Sequence, residues 1–459
     1  MPAKDSREVF PGGGGKVRLA FRTTGCKVNQ FDTEAILEAV SDMPVIICDP
    51  DDRPDLVVVN ACTVTMNADR DGRAAAFRAL RTGAGVILAG CMATRLQDQG
   101  TASTMPPEIS IIGGTADRSA LLSGIRERVR EILASGLPEP GRDAAGEAMP
   151  PDDVHPAITA AATRKGVRAR PLVKIQDGCD CRCTYCIVPL VRGASTSRSI
   201  DDILNQIRRA ADAGAAEIVL TGVDLAAWGR NSDGRYGRLD ELLVRLTAAG
   251  TGSRFRLSSL EPHGLSRELL DSMAASPDIC PHLHIPMQSG SDAVLARMNR
   301  PYSAGRFAEL VMDAAARVPG LVLGMDVIAG FPGETDRDFL LTLEMVQALP
   351  TTYLHVFPYS PRPGTPAAAM DDQVPDGTRK ERARALRQFG TRARSAHALA
   401  LTGSTVEVVD IRVGSEGVEA LAADYTRVFV TNRHRILDGR TSVRIVSSRG
   451  AVAIGRQEE

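Results

Sequence analysis

Four of the nine cysteines in this 459-residue chain stand in one run: Cys179, Cys181, Cys183 and Cys186. Three of them, Cys179, Cys183 and Cys186, have Cys-x3-Cys-x2-Cys spacing. Three thiolates on one short loop can hold three irons of a 4Fe-4S cluster, leaving the fourth iron open to a small molecule. A structural zinc site usually takes four protein ligands, and no histidine lies in this loop. Cys181 falls between the spaced positions, as a bystander or as a competitor during cluster assembly.

A second set is dispersed. Cys26 lies within Thr23–Gln30, Cys62 within Asn60–Thr65 and Cys91 within Gly90–Ala93. Each follows a run that reads as a buried strand. In a parallel sheet the carboxyl ends of the strands share one edge, where ligands bind. The usual fate of a lone cysteine is burial as an inert thiol. Three at successive strand ends point instead to a second cluster, with Cys26, Cys62 and Cys91 as its protein ligands. Cys48 and Cys280 lack this turn context and read as structural thiols.

The elements that must position these loops form two βα series. In the first, Val17–Arg22, Val45–Cys48, Leu56–Asn60, Val86–Ala89 and Ile109–Ile112 read as strands. Asn29–Val40, Met66–Leu80 and Ala116–Leu133 read as helices. This alternation predicts a parallel-sheet α/β domain over 16–133. Residues 134–170, rich in Pro, Gly, Ala and Asp without periodicity, read as a linker. A second series over 171–398 has strand candidates Leu172–Gln176, Glu217–Thr221, Arg254–Ser258, His282–Pro286, Leu321–Ala329 and Tyr353–Pro358. Helix candidates between them include Ser199–Ala213, Arg238–Ala249, Arg306–Val318 and Asp336–Leu349. Six such strands predict a partial (β/α)6 barrel, with chemistry at the carboxyl ends of its strands. From 402 to 459, short runs at Val406–Val409, Val428–Val430 and Val443–Val446 suit a small antiparallel β-barrel.

Composition narrows the class further. Hydrophobic residues make up 43% and charged residues 24%, a globular mixture. The formal net charge is -1, so any nucleic-acid footprint must be local. Thr378–His397 carries seven Arg or Lys against one Glu. It suits a phosphate-tracking face, or equally a solvated helix surface. The C-terminal segment from Thr402 counts eight Arg against eight Asp plus Glu, so its charge does not advertise RNA. No run of about 18 apolar residues suggests a membrane span. Met1–Lys16 lacks the apolar stretch of a secretory signal, so the expected location is the cytoplasm, where disulfides are rare.

With these motifs in place, the chain resembles the radical S-adenosylmethionine superfamily in its Cys loop and, over nearly its whole length, the methylthiotransferase family. Further matching stretches are Arg256–Pro262, Gln288–Ser291, Gly330–Thr335 and His355–Pro361. The resemblance implies an N-terminal α/β domain, a radical barrel and a small C-terminal barrel called TRAM. It implies S-adenosylmethionine on the open iron, and radical attack on an adenine ring carbon. A second cluster would carry the sulfur, and a flavodoxin or ferredoxin would supply low-potential electrons. Tyr185 matches an aromatic near the cofactor adenine, and Thr221-Gly222 the turn that holds the methionine amino group. Glu261, Gln288 and Gly330 stand at other strand ends as cofactor contacts, or else as turn and barrel-layer residues.

Gly25–Thr33 and Ser360–Thr365 are closest to the branch acting on N6-threonylcarbamoyladenosine in the tRNA anticodon stem-loop. The alternatives inside the family are the isopentenyladenosine-tRNA branch and the ribosomal-protein branch. Outside it, an iron-sulfur electron-transfer protein would use the six cysteines. It would not account for two sites that each lack a fourth ligand, nor for the barrel.

Overall fold

The computed structural model describes residues 15–114, 118–135, 170–229, 238–414, 416–431 and 439–457. The expected linker over 134–170 lies almost wholly outside the described residues. The chain falls into two compact units, Met1–Gly166 with Leu190–Gly193, and Val167–Pro189 with Ala194–Glu459.

In the first unit the elements are β1 (Val17–Thr23), α1 (Lys27–Ala39), β2 (Val45–Ile47), β3 (Leu56–Asn60), α2 (Met66–Arg81), β4 (Gly85–Ala89), α3 (Cys91–Asp98), β5 (Ile109–Ile111) and α4 (Arg118–Ala134). The five strands form one parallel sheet in the order β2-β1-β3-β4-β5. Every residue of β3 is buried, because helices cover both faces of the sheet. On one face Leu19, Val58 and Ile87 pack against Ile36 of α1 and Ile125 and Val129 of α4. On the other, Val57, Val59 and Leu88 pack against Ala76 of α2 and Leu96 of α3. In this doubly wound order the topological switch falls between β1 and β3, and ligands bind outside the carboxyl ends of the strands there.

The second unit opens with β6 (Leu172–Lys174), β7 (Gln176–Asp177), α5 (Val188–Arg192, its last residues belonging to the first unit), β8 (Thr196–Ser197), α6 (Ile200–Asp212), β9 (Glu217–Thr221), α7 (Leu239–Ala248), β10 (Arg254–Leu257) and α8 (Arg267–Ala275). It continues with β11 (His282–Gln288), α9 (Asp292–Arg297), α10 (Ala304–Arg317), β12 (Val322–Ala329), α11 (Asp336–Ala348), β13 (Thr351–Pro358) and α12 (Asp376–Ala400). The six strands expected for a partial barrel form two parallel three-stranded sheets, β10-β9-β6 and β11-β12-β13. Isolated bridges, one of them Ser259 to His284, join the two at the seam. Alternate residues such as Val173, Leu220, Phe255, Leu283 and Met325 face the helices in one hydrophobic core. Their neighbours Gln176, Thr221, Arg256, His284 and Asp326 therefore line the concave side.

The chain ends in β14 (Thr405–Val413), β15 (Gly417–Ala422), β16 (Arg427–Thr431), β17 (Thr441–Arg449) and β18 (Val452–Gln457). They close into a barrel in the order β14-β15-β16-β18-β17 around Val408, Val418, Val430 and Ile445. The expectation of an antiparallel barrel needs one correction, since β16 and β18 pair in parallel. This barrel covers the amino ends of strands β10, β11 and β13. Arg254 and Arg256 donate to the carbonyls of Leu421, Ala422 and Ala423 at 2.9, 3.1 and 3.0 Å. The Tyr425 ring lies 4.4 Å from that of His282.

Candidate metal centres

The first unit carries one cysteine set at the carboxyl ends of three adjacent strands. Cys26 caps α1 after β1, Cys62 follows β3, and Cys91 opens α3 after β4. Two glycines let these loops meet. A Cβ on Gly25, at φ +110°, would stand 2.3 Å from Cys62 Cβ, and one on Gly90, at φ +80°, 2.2 Å from Asn60 Oδ1. Asn60 Nδ2 in turn donates to Asn29 O and Thr33 Oγ1, both at 2.9 Å. The loop carrying Cys62 is braced by Arg95, which donates to Thr63 Oγ1 at 2.8 Å and pairs with Asp69 at 3.1 Å.

Asn29 Nδ2 donates to Thr24 O, which turns Oδ1 toward the sulfurs. That oxygen is 3.8 Å from Cys26 Sγ and 3.9 Å from Cys91 Sγ. Arg192 Nη2 donates to Asn29 Oδ1 at 2.7 Å and pairs with Asp32 at 3.0 Å, while its Nε lies 3.3 Å from Cys91 Sγ. Burial pushes the Cys62 thiol up to about 12 and the Cys91 thiol up to about 11. Unmetallated, both therefore stay protonated, and a cation must displace the protons. At Cys91 the nearby Arg192 guanidinium opposes that rise and favours the thiolate form that a metal needs. This donor set fits an iron-sulfur cluster.

The second unit carries the other set. Its loop follows β7 and is pinned by Thr184, whose N and Oγ1 donate to Met298 O at 3.1 Å and Arg297 O at 2.8 Å. Asn299 Nδ2 donates to Arg182 O at 2.9 Å. Arg300 is buried and joins Cys183 to Glu261, which follows β10. Burial raises the Glu261 carboxyl, with Arg300 opposing it. Burial also pushes the Cys186 thiol up to about 12. The Cys179 sulfur, together with burial, raises the Cys181 thiol. Cys179, Cys181 and Asp224 present their ligand atoms within 4.8 Å of one another. Asp224 Oδ1 is buried with no hydrogen-bond partner among the described residues; His263 Nε2 comes only to 3.9 Å. An orphaned acceptor beside the thiols of this loop suits an iron cluster with an ammonium-bearing ligand.

The expected cofactor contacts divide. Thr221 ends β9 and Gly222 follows it, where Gln176 Oε1 accepts from Val223 N at 3.0 Å and Asp224 N at 2.8 Å. Those two amides are committed to a side chain. Gln288 sits at the irregular end of β11 with φ +65°, a strained conformation of the kind that clusters at functional sites. Tyr185 packs edge-on against Phe331, ring centroids 6.4 Å apart. Gly330 accommodates α12, since a Cβ there would stand 2.3 Å from Arg379 Cγ, and its N–H donates to Glu334. Cys280 lies buried at the barrel floor, 3.8 Å from Glu217, and Cys48 is buried under the sheet of the first unit.

Sequence reasoning missed Arg192, Asn29, Arg300 and Asp224. The one available signal was a lone charge in an apolar run, as in Ile187–Arg192. It also missed His284, Asp326 and His355, which converge on the concave face, His284 Nε2 lying 2.8 Å from Asp326 Oδ1 and His355 Nδ1 3.4 Å from it. The basic run Thr378–His397 belongs to one helix, α12, and its charges split. Arg382 is buried against Glu334 and Asp336, while Lys380, Arg384, Arg387 and Arg392 are exposed.

Residues 173–346 match the model of the Radical SAM superfamily, and 18–113 that of uncharacterized protein family UPF0004. The threonylcarbamoyladenosine tRNA methylthiotransferase MtaB of Bacillus subtilis is 36% identical over 396 residues, 85% of this chain and 84% of that one. The tRNA-2-methylthio-N(6)-dimethylallyladenosine synthase of Frankia alni is 34% identical over 393 residues, 84% and 76% of the two chains. The fold is also similar to TsrM, a radical S-adenosylmethionine methyltransferase from Kitasatospora setae, at TM-score 0.51 and 15% identity over 77% of each chain. The chain belongs to the radical S-adenosylmethionine methylthiotransferase family. It is a transferase, and the superfamily implies S-adenosylmethionine and a 4Fe-4S cluster. Among the described residues, no helix is long and apolar enough to cross a membrane.

Proposed function

We propose that this enzyme methylthiolates N6-threonylcarbamoyladenosine next to the anticodon of tRNA, giving the 2-methylthio product. In this reading Cys179, Cys183 and Cys186 hold one 4Fe-4S cluster and Cys26, Cys62 and Cys91 a second. The observation that carries it is the pairing of two three-thiol sets with 36% identity to the Bacillus subtilis enzyme over 85% of this chain. When bound, the clusters and S-adenosylmethionine supply the radical and sulfur chemistry.

The chain's own residues position and shield. Asp224 and the Thr221–Gly222 turn take the amino group of S-adenosylmethionine, and Arg300 keeps Glu261 and Cys183 in fixed relation. Gln288 holds its place at the carboxyl end of β11 by accepting backbone strain. The burial of Cys62 and Cys91 keeps water from those two sulfurs. The exposed cations of α12, Lys380, Arg384, Arg387 and Arg392, support contact with the phosphates of the anticodon stem-loop. A low-potential flavodoxin or ferredoxin supplies electrons in the cytoplasm.

The test is mass spectrometry of tRNA nucleosides from a deletion strain. The 2-methylthio derivative of threonylcarbamoyladenosine should vanish, returning with the wild-type gene and not with Cys26/Cys62/Cys91→Ala. The triple variant, shown to fold and keep its other cluster, should still form 5′-deoxyadenosine with dithionite. Loss of the 2-methylthio-dimethylallyladenosine product instead would assign the branch of the Frankia alni relative.

A further inference from the structure

Arg192 stands six residues beyond Cys186 in the chain, yet Leu190–Gly193 belongs to the first unit. It is 6% exposed there. A buried guanidinium normally needs its counter-charge and hydrogen-bond partners close by. Arg192 has Asp32 as counter-charge and Asn29 Oδ1 as acceptor, but its Nε is aimed at Cys91 Sγ, 3.3 Å away. One planar group thus engages a cysteine of the first centre together with the amide whose oxygen faces Cys26 and Cys91.

We infer that Arg192 is a positioning residue for the first centre, fixing Cys91 and Asn29 around the cluster and raising its reduction potential. The inference rests on the reading that Cys26, Cys62 and Cys91 ligate a cluster. Reduction adds negative charge that spreads onto the ligand sulfurs. A hydrogen bond and positive charge at one sulfur stabilise the reduced state more than the oxidised one. Asp32 offsets part of this, but it meets Nη2 at 3.0 Å, whereas Nε lies 3.3 Å from Cys91 Sγ. The direct N–H to sulfur contact therefore sets the sign. Asp32 is the balance that allows a cation to be buried here, and Asn29 keeps the fork from rotating away.

The experiment uses the full chain carrying Cys179/Cys183/Cys186→Ala, reconstituted anaerobically so that one cluster remains to be read. Iron content and a redox titration followed by electron paramagnetic resonance are compared for this parent and for added Arg192→Gln, Arg192→Lys and Arg192→Gln/Asp32→Asn. A parent without a cluster would defeat the ligand reading itself. With a loaded parent, about four irons, the expected result is a lower midpoint potential in Arg192→Gln and in the double variant, with Arg192→Lys in between. An iron-loaded Arg192→Gln at the parent potential would overturn the inference. So would a double variant that regains iron lost by Arg192→Gln and titrates like the parent, because Arg192 would then only neutralise Asp32. Loss of iron from every variant, Arg192→Lys included, would reduce Arg192 to an assembly requirement and equally overturn the tuning role.

Discussion

Arg300 Nη1 stands 3.3 Å from Cys183 Sγ and 3.3 Å from Glu261 Oε1, so one buried guanidinium serves a thiol and a carboxylate at once. Removing it leaves Glu261 half-buried beside the Cys loop without its cation. Arg300→Gln should lower 5′-deoxyadenosine formation, iron retention or both by about 10- to 100-fold, the usual cost of losing a partner that orients a metal ligand. Glu261→Gln added to Arg300→Gln should recover part of the loss, because the carboxylate that lost its cation is then gone. The measurement is iron content and 5′-deoxyadenosine yield from one preparation. Full iron and an undiminished rate in Arg300→Gln would remove Arg300 from the site.

Cys181 offers a second sharp case. Its Sγ lies 3.9 Å from Asp224 Oδ2, and its N–H donates to Cys179 Sγ at 3.4 Å. A fourth thiolate would close the iron that must stay open to S-adenosylmethionine. Cys181→Ala should therefore keep both clusters and activity, whereas Cys179→Ala should lose the cluster of this loop. The opposite pattern in iron analysis would exchange the roles of the two residues.

A third expectation concerns stability. Glu217 is fully buried, with Arg170 and Arg256 on Oε1 at 2.7 Å and Arg254 on Oε2 at 2.8 Å. Burial alone would raise its carboxyl, but Arg256, Arg170 and Arg254 hold it well below the ordinary range. Glu217→Gln should cost about 3–5 kcal/mol, since it leaves buried cations under-compensated. A depressed folded pKa adds stability that is complete above the unfolded value, about 4.3, and is lost as pH falls toward the folded one. Denaturation curves of the parent should therefore weaken more steeply below that pH than those of Glu217→Gln. Equal slopes would mean that the ion cluster contributes nothing to folding.

Much of the scaffold was legible. Leu56–Asn60 and Glu217–Thr221 are apolar runs bounded by turns, and both are strands over those residues. The convergence of Cys26, Cys62 and Cys91 followed from strand ends alone. Short helices such as α3 and α9 were missed because they begin at the turn itself, Gly90 offering α3 no side-chain cap. α12 was read as a basic run, either a phosphate-tracking face or a solvated helix surface, and its sparse apolar residues hid its helical bounds. The groups that surround the thiols were the least legible. Arg192 reaches Cys91 across 101 residues and Arg300 reaches Cys183 across 117, and no local pattern encodes such pairs.

The small C-terminal barrel is bolted under the larger one. Its carbonyls at Leu421, Ala422 and Ala423 accept from Arg254 and Arg256, and Tyr425 packs at a tilt against His282 and Tyr353. A chain truncated before Thr405 would keep both cysteine sets but strip two guanidiniums of their carbonyl acceptors, leaving them Glu217, and open an aromatic floor to solvent. Such a truncation would lose folding cooperativity before it lost any grip on nucleic acid. The two barrels should melt as a single calorimetric transition, and surface charge changes confined to β16–β18 are the cleaner way to probe what the terminal barrel touches.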